Sequence, residues 1–111
     1  VIVIEKRFKL DKSQIVKILV GEGGCLVTDR IMVDGCRVGY MYREMPRNTM
    51  DSGWRFFAGD ETEGYMASPG NHGVYDLNTL VNYDSDVIPF LRAEIGSEFE
   101  RDLNGMLVRI K

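Results

Sequence analysis

Apolar positions along the chain change their spacing several times, and each change predicts an element. Val1–Ile4 is a β-branched run that predicts a short strand. In residues 11–20, DKSQIVKILV, Asp11 or Ser13 is placed to cap a short helix, while Ile15, Val16, Ile18, Leu19 and Val20 equally suit a strand. Gly21–Gly24 breaks either one. CLVTDRIMV at 25–33 and CRVGYMYR at 36–43 read as two strands joined at Asp34-Gly35, a dipeptide that favours a tight hairpin because glycine takes positive φ without steric cost. On the second strand Val38, Tyr40 and Tyr42 fall on one face and Arg37, Met41 and Arg43 on the other. Polar residues from Pro46 to Ser52 lead to a strand at 54–58, WRFFA, where Trp54 and Phe56 oppose Arg55 and Phe57.

Gly59 opens an acidic segment in which Glu61–Met66 has room for one helical turn, and Ser68–Gly73 reads as loop. Residues 76–83 predict a helix capped by Asp76, with Leu77, Leu80 and Val81 on one side. Ser85 or Asp84 caps a second short helix through Arg92. Pro89 falls near its first turn, where a missing N–H is tolerated, and Gly96 ends it. SEFER at 97–101 and MLVRI at 106–110 flank Asn104-Gly105, a dipeptide that favours a two-residue hairpin turn. Strands, then helices, then strands predict an α+β fold. The chain is one domain over residues 1–111, a mostly antiparallel sheet with two or three short helices.

Length and composition narrow the class. A chain of 111 residues matches a single core, and 44% hydrophobic with 28% charged residues excludes disorder as the dominant state. No apolar run approaches the ~20 residues of a membrane helix, and no secretory pattern opens the chain. The net charge of −3 is unevenly divided. Residues 1–20 hold Lys6, Arg7, Lys9, Lys12 and Lys17 against Glu5 and Asp11, a balance of +3. Residues 50–87 hold Asp51, Asp60, Glu61, Glu63, Asp76, Asp84 and Asp86 against Arg55 alone, a balance of −6. Such a middle repels phosphates, which argues against a nucleic-acid partner. Cys25, Cys36 and the single histidine His72 are too few for a zinc site and read as reduced thiols and a loop histidine of a cytoplasmic protein. No metal, cofactor or membrane partner is expected.

Candidate chemistry is sparse. There is no G-x-S-x-G elbow, and any Ser–His or Cys–His pair must use His72, which lies in the Gly-flanked PGNHG. GEGG at 21–24 is followed by neither Lys-Ser/Thr nor a helix, so it reads as a turn rather than a phosphate cradle. No catalytic residue is predicted. Asp60, Glu61 and Glu63 are the most suggestive group, because neighbouring carboxylates can split their pKa values into an acid and a base. They can also ligate Ca²⁺ or Mg²⁺, but the twelve-residue spacing of an EF-hand is missing. As a plain acidic loop they would be solvated or paired with Arg43 and Arg55. Aromatic residues beside acidic ones also describe a protein-binding surface. Trp54 and Phe56 are assigned to the core, while Tyr65 and Tyr75 suit core or surface.

Several segments carry a resemblance: VGYMYRE at Val38–Glu44, DSGWRFFAGDE at Asp51–Glu61, GYM at Gly64–Met66, YDLNTLVNYDSDVIPFL at Tyr75–Leu91 and GSEFERD at Gly96–Asp102. Together they resemble the bacterial immunity protein 33-like family, long catalogued as a domain of unknown function. The likeness runs from Gly24 to Leu107. It implies a small bacterial, cytosolic protein of a kind in part grouped with toxin loci, where a neighbouring small protein neutralises a toxin. The expected function is non-enzymatic: neutralising a cognate toxin, or binding another protein partner, through an acidic, aromatic-bearing face of Asp51, Asp60, Glu61, Glu63 and Tyr65. Arg43, Trp54 and Arg55 would support it. The alternative is a small-molecule-binding protein or small hydrolase that uses the Asp60–Glu63 carboxylates, with Arg43 and Arg55 holding an anionic substrate. A third reading makes the motif architectural, with Trp54, Arg55 and Asp51 tying the sheet to the helices.

Overall fold

Residues 5–111 are described by a computed structural model, and the strand predicted at Val1–Ile4 lies outside them. Six strands, β1 (Gly24–Thr28), β2 (Tyr40–Arg43), β3 (Asp51–Phe57), β4 (His72–Asp76), β5 (Glu98–Arg101) and β6 (Leu107–Arg109), form one sheet in the order β4-β1-β3-β2-β5-β6. Neighbours run antiparallel except β1 and β3, which are parallel. Three short α-helices, α1 (Asp29–Met32), α2 (Glu63–Ala67) and α3 (Leu77–Tyr83), and 3₁₀ turns at Lys12–Gln14, Pro69–Asn71 and Ser85–Phe90 complete an α+β domain.

The two-residue period of the strands divides the sheet into unlike faces. Cys25, Val27, Met41, Trp54, Phe56 and Phe99 point to one side, where Ile31, Met32, Leu77, Leu80, Val81 and Val87 close over them as the core. α3 forms where predicted: the Asp76 carboxylate accepts the Asn78 N–H at its start, and Leu77, Leu80 and Val81 are buried. Asp84 caps the following 3₁₀ turn through Asp86 N–H, so the second predicted helix is the tighter Ser85–Phe90. β5 and β6 form the predicted C-terminal hairpin. Its turn is longer than two residues, because the Asp102 N–H bonds the Met106 carbonyl and the Asp102 carboxylate accepts from the Asn104 and Met106 N–H groups.

The predicted hairpin of 25–33 with 36–43 does not form. The chain leaves β1 at Thr28 and turns into α1, burying the adjacent Ile31 and Met32, which a strand would have placed on opposite faces. Gly35, at φ +78°, follows this helix, and its N–H bonds the Ile31 carbonyl. The Asp-Gly signal thus ends a helix instead of joining strands, since both devices require a residue in the left-handed region. β1 pairs with β3 and β4, never with β2. Val38 is buried just before β2, where its N–H bonds the buried Asp84 carboxylate, so it does not share the Tyr40 and Tyr42 face. Residues 15–20 are neither α-helix nor sheet strand. They follow the 3₁₀ turn that Asp11 caps, and they lie extended along α3.

Candidate functional site

The DSGWRFFAGDE segment is β3 and the loop after it, and nearly every residue in it has an architectural task. Between Gly24 and Leu26 the chain advances two positions on β1 while β3 advances four, from Asp51 to Arg55. This bulge centres on Gly53 at φ +87°, where an added Cβ would overlap the Glu44 carbonyl oxygen. The contraction lets the Arg55 guanidinium fold back on Asp51, with Nη1 and Nη2 donating at 2.9 and 2.8 Å to the two carboxylate oxygens. Arg55 Nε donates to Glu44 at 2.6 Å, and Nη1 also donates to the Trp54 carbonyl. Arg55 is only 4% exposed, so its charge is held below the sheet surface by two carboxylates. In return, Arg55 and the N–H groups of Arg47 and Gly53 hold the Asp51 carboxyl well below the usual carboxylate range.

The other motif residues pin the strand to its surroundings. Ser52 Oγ donates to the Gly24 carbonyl at 2.6 Å, and Trp54 Nε1 donates to the Leu91 carbonyl at 3.2 Å. Arg43 lies 5.7 Å from the centre of the Trp54 ring and donates to the carbonyls of Ser52 and Ala93; among the described residues no carboxylate pairs with it. Glu61 folds the loop after β3 by accepting from the Ala58 and Gly59 N–H groups and from Thr28 Oγ1.

The carboxylates chosen from the sequence therefore do not gather in one place. Asp51 stands at the start of β3, and Asp60, Glu61 and Glu63 lie beyond its end, about 20 Å away along the strand. Asp60 is exposed and paired with Arg30, whose two donors hold it below its ordinary value. Glu63 is exposed in the first turn of α2. Tyr65 is half-buried, and burial, with Asp29, Asp34 and Glu61 near it, pushes its phenol up. Among the described residues, no three His, Cys, Asp or Glu side chains converge as metal ligands. Cys25 is buried, which pushes its thiol far above the range of a nucleophile, and His72 Nε2 meets the Met66 carbonyl at 3.3 Å.

A surface the charge count did not reveal lies on the second face of the sheet. Val74, Leu26, Arg55, Tyr42 and Glu98 align in one row across five strands, and Phe57, Tyr40, Glu100 and Val108 align in the next. Among the described residues no helix closes over these rows, and apart from Arg55 their side chains stay half-buried or exposed. The rings of Tyr40, Tyr42 and Phe57 touch each other at 5.8 Å between centres, with Tyr42 and Phe57 stacked at 8°. Tyr40 donates to Glu98 at 2.7 Å. Burial, aided by this bond, pushes its phenol up to about 12. Glu44, Glu98 and Glu100 frame the rings. Beside them runs a groove of about 990 Å³ between Val74 and Leu26 on the sheet and the Arg47–Met50 loop. Asp60, Glu61 and Glu63 do not line it. The alternation in YMYR and in SEFER carried half of this signal, and only the β2–β5 register joined the halves.

No helix among the described residues is long and apolar enough to cross a membrane. No curated protein and no solved structure matches the chain. Residues 25–111 match the immunity protein Imm33 domain, a span that takes in all of the sheet but Gly24, the three α-helices and the open face. The chain belongs to the Imm33 immunity protein domain family, and its role is that of an immunity-type protein.

Proposed function

We propose that the protein neutralises a toxin by holding a cationic surface of it against the open sheet face. Tyr40, Tyr42 and Phe57 are the apolar anchors, and Glu44, Glu98 and Glu100 form the charged frame. Asp60, Glu61, Glu63 and Tyr65 extend that frame beyond the end of β3. Asp51 acts indirectly, by fixing Arg55 in the row that carries Tyr42. One observation carries this reading: three rings in mutual contact lie on a helix-free face bordered by carboxylates. Rigid aromatic side chains lose little freedom on binding and dominate interface energies, while carboxylates around them steer a cationic partner and speed its approach. A toxin that acts on nucleic acid presents such a cationic surface. The mechanism is occlusion, with no bond made or broken by this chain. Both cysteines carry free thiols, which fits the cytoplasm as the place of action.

The test starts from the full chain as bait in lysate of its own host and goes on to the purified partner. The captured protein should arrest growth when expressed alone, and the wild-type chain should restore it. Tyr42→Ala with Phe57→Ala should weaken binding about 30-fold or more, the loss expected of two anchor residues. Glu98→Gln with Glu100→Gln should instead slow association, and more so at low salt. Unchanged affinity and rate for both pairs would overturn the assignment of this face.

A further inference from the structure

Residues 5–20 precede the matched family domain and form an arm that joins no strand of the sheet. The arm is fastened to α3 mainly through its own backbone. Asn78 Oδ1 accepts from the Ile18 and Leu19 N–H groups at 2.7 and 2.8 Å, and Asn82 Oδ1 accepts from the Val16 N–H at 3.0 Å. The Nδ2 groups of Asn78 and Asn82 both donate to the Val16 carbonyl. Nearer the start, the Lys9 N–H bonds the Met32 carbonyl, and Leu10 N–H donates to Tyr83 Oη. Two asparagines one helical turn apart thus present the donors and acceptors that a neighbouring strand would supply. Some arm side chains add to this, with Lys6 Nζ 2.9 Å from Asp29, Phe8 edge-on to Tyr75 and Leu19 against the core, while Val16 and Val20 are 59% and 72% exposed. Beneath the arm a crevice of about 420 Å³, lined by Phe8, Leu10, Ile15, Met32, Tyr75 and Tyr83, stays open.

The arm meets the domain at Gly21, which has φ +68° and open space around it. The next glycine is fixed, since the Gly23 carbonyl accepts from Leu77 N–H and an added Cβ there would lie 2.8 Å from the Met50 carbonyl oxygen. Val20, Gly21 and Glu22 therefore form a short hinge between arm and domain, with Gly21, at positive φ and in open space, at its centre.

We propose that the α3 surface is an extended-peptide site that takes the arm of a second copy of this chain in place of its own, so that two chains exchange arms through a hinge at Gly21. Every bond described above is the same within one chain or between two, and only the tether favours the closed monomer. A short flexible tether is worth an effective concentration of the order of 1 mM, so exchange in the natural chain emerges near that concentration. Proline holds φ near −65° and opposes the closed turn, so Gly21→Pro removes much of the tether's advantage.

The experiment mixes ¹³C-labelled and unlabelled chain in equal amounts, concentrates it to about 1 mM and measures mass in solution together with isotope-filtered NOEs. Dimers should appear with NOEs between Ile15 or Leu19 of one chain and Thr79 or Tyr83 of the other. Gly21→Pro should dimerise at concentrations lower by roughly tenfold or more. Asn78→Ala with Asn82→Ala loosens the arm's seat in monomer and dimer alike, so it should weaken the Ile15 and Leu19 NOEs within and between chains together. A Gly21→Pro chain that stays monomeric at millimolar concentration would overturn the proposal. A dimer that lacks these NOEs between chains would do the same.

Discussion

The two faces of β3 are made by the same seven residues and follow different rules. On one side Trp54 and Phe56 are fully enclosed, and their neighbours are apolar. On the other, Arg55 is equally enclosed, but by Asp51 and Glu44, and Phe57 remains half-exposed beside two tyrosines. The first face holds the fold together and has no freedom left for recognition. The second face puts its charge below the surface, neutralised, and leaves rings on top. A motif can therefore be unusual in sequence without touching a partner, because Gly53 and the Asp51–Arg55 pair build the support for others.

The sharpest way to break this contrast is to truncate one residue from each face. Trp54→Ala should lower stability by about 3–5 kcal/mol in denaturant unfolding, the usual loss for a large buried ring. Phe57→Ala should lower it by about 1 kcal/mol while weakening the toxin complex far more. Equal losses of stability would erase the distinction. Arg55→Ala comes next, at about 3 kcal/mol, because it leaves the Asp51 carboxylate enclosed without its cation. Gly53→Ala should act through the same support, by straightening the bulge that brings Arg55 back to Asp51.

An acid titration sharpens the point. Asp51 is held below its ordinary pKa in the folded chain, so its charged form stabilises the fold. That contribution is complete above the unfolded carboxylate value, near pH 4, and is lost as pH falls from there toward the lower folded value. Asp51→Asn should therefore flatten the fall in unfolding midpoint below about pH 4, and an unchanged acid slope would contradict the pairing. The smallest effect belongs to the exposed end of the motif. Asp60→Asn with Glu63→Gln should leave the unfolding midpoint where it was and slow only the low-salt approach of a cationic partner.

Much of this fold could be read in advance wherever one local rule governed one segment. Asp76 before an apolar triplet at helical spacing and WRFF at strand spacing each meant what they became, and Asn104-Gly105 marked a hairpin whose turn is longer than the dipeptide alone. Asp34-Gly35 misled because a helix end and a hairpin turn ask the same thing of glycine. The parallel contact of β1 with β3 has no local signature, since it depends on where the intervening segment goes. The candidate surface was half legible for the same reason. Tyr40 and Tyr42 share a face by alternation alone, but their meeting with Phe57, Glu98 and Glu100 is a matter of register between distant strands. The charge count pointed to Asp60, Glu61 and Glu63, and it could not show that Arg30 and backbone N–H groups already occupy two of them.

The place of β1 has a consequence for how the chain is made. It is among the first parts of the sheet to be synthesised, and it is flanked by β3 and β4, which come much later. At about 5–20 residues per second, Cys25 and Val27 wait several seconds on the ribosome before both neighbours exist. During that interval β2 and β3 can close as a local hairpin, leaving an open slot on the far side of β3. The earliest-made strand of the sheet then pairs with that side of β3, β4 closes over it as the outer strand, and β5 and β6 add to the other side last, so assembly starts inside the sheet and finishes at its two margins.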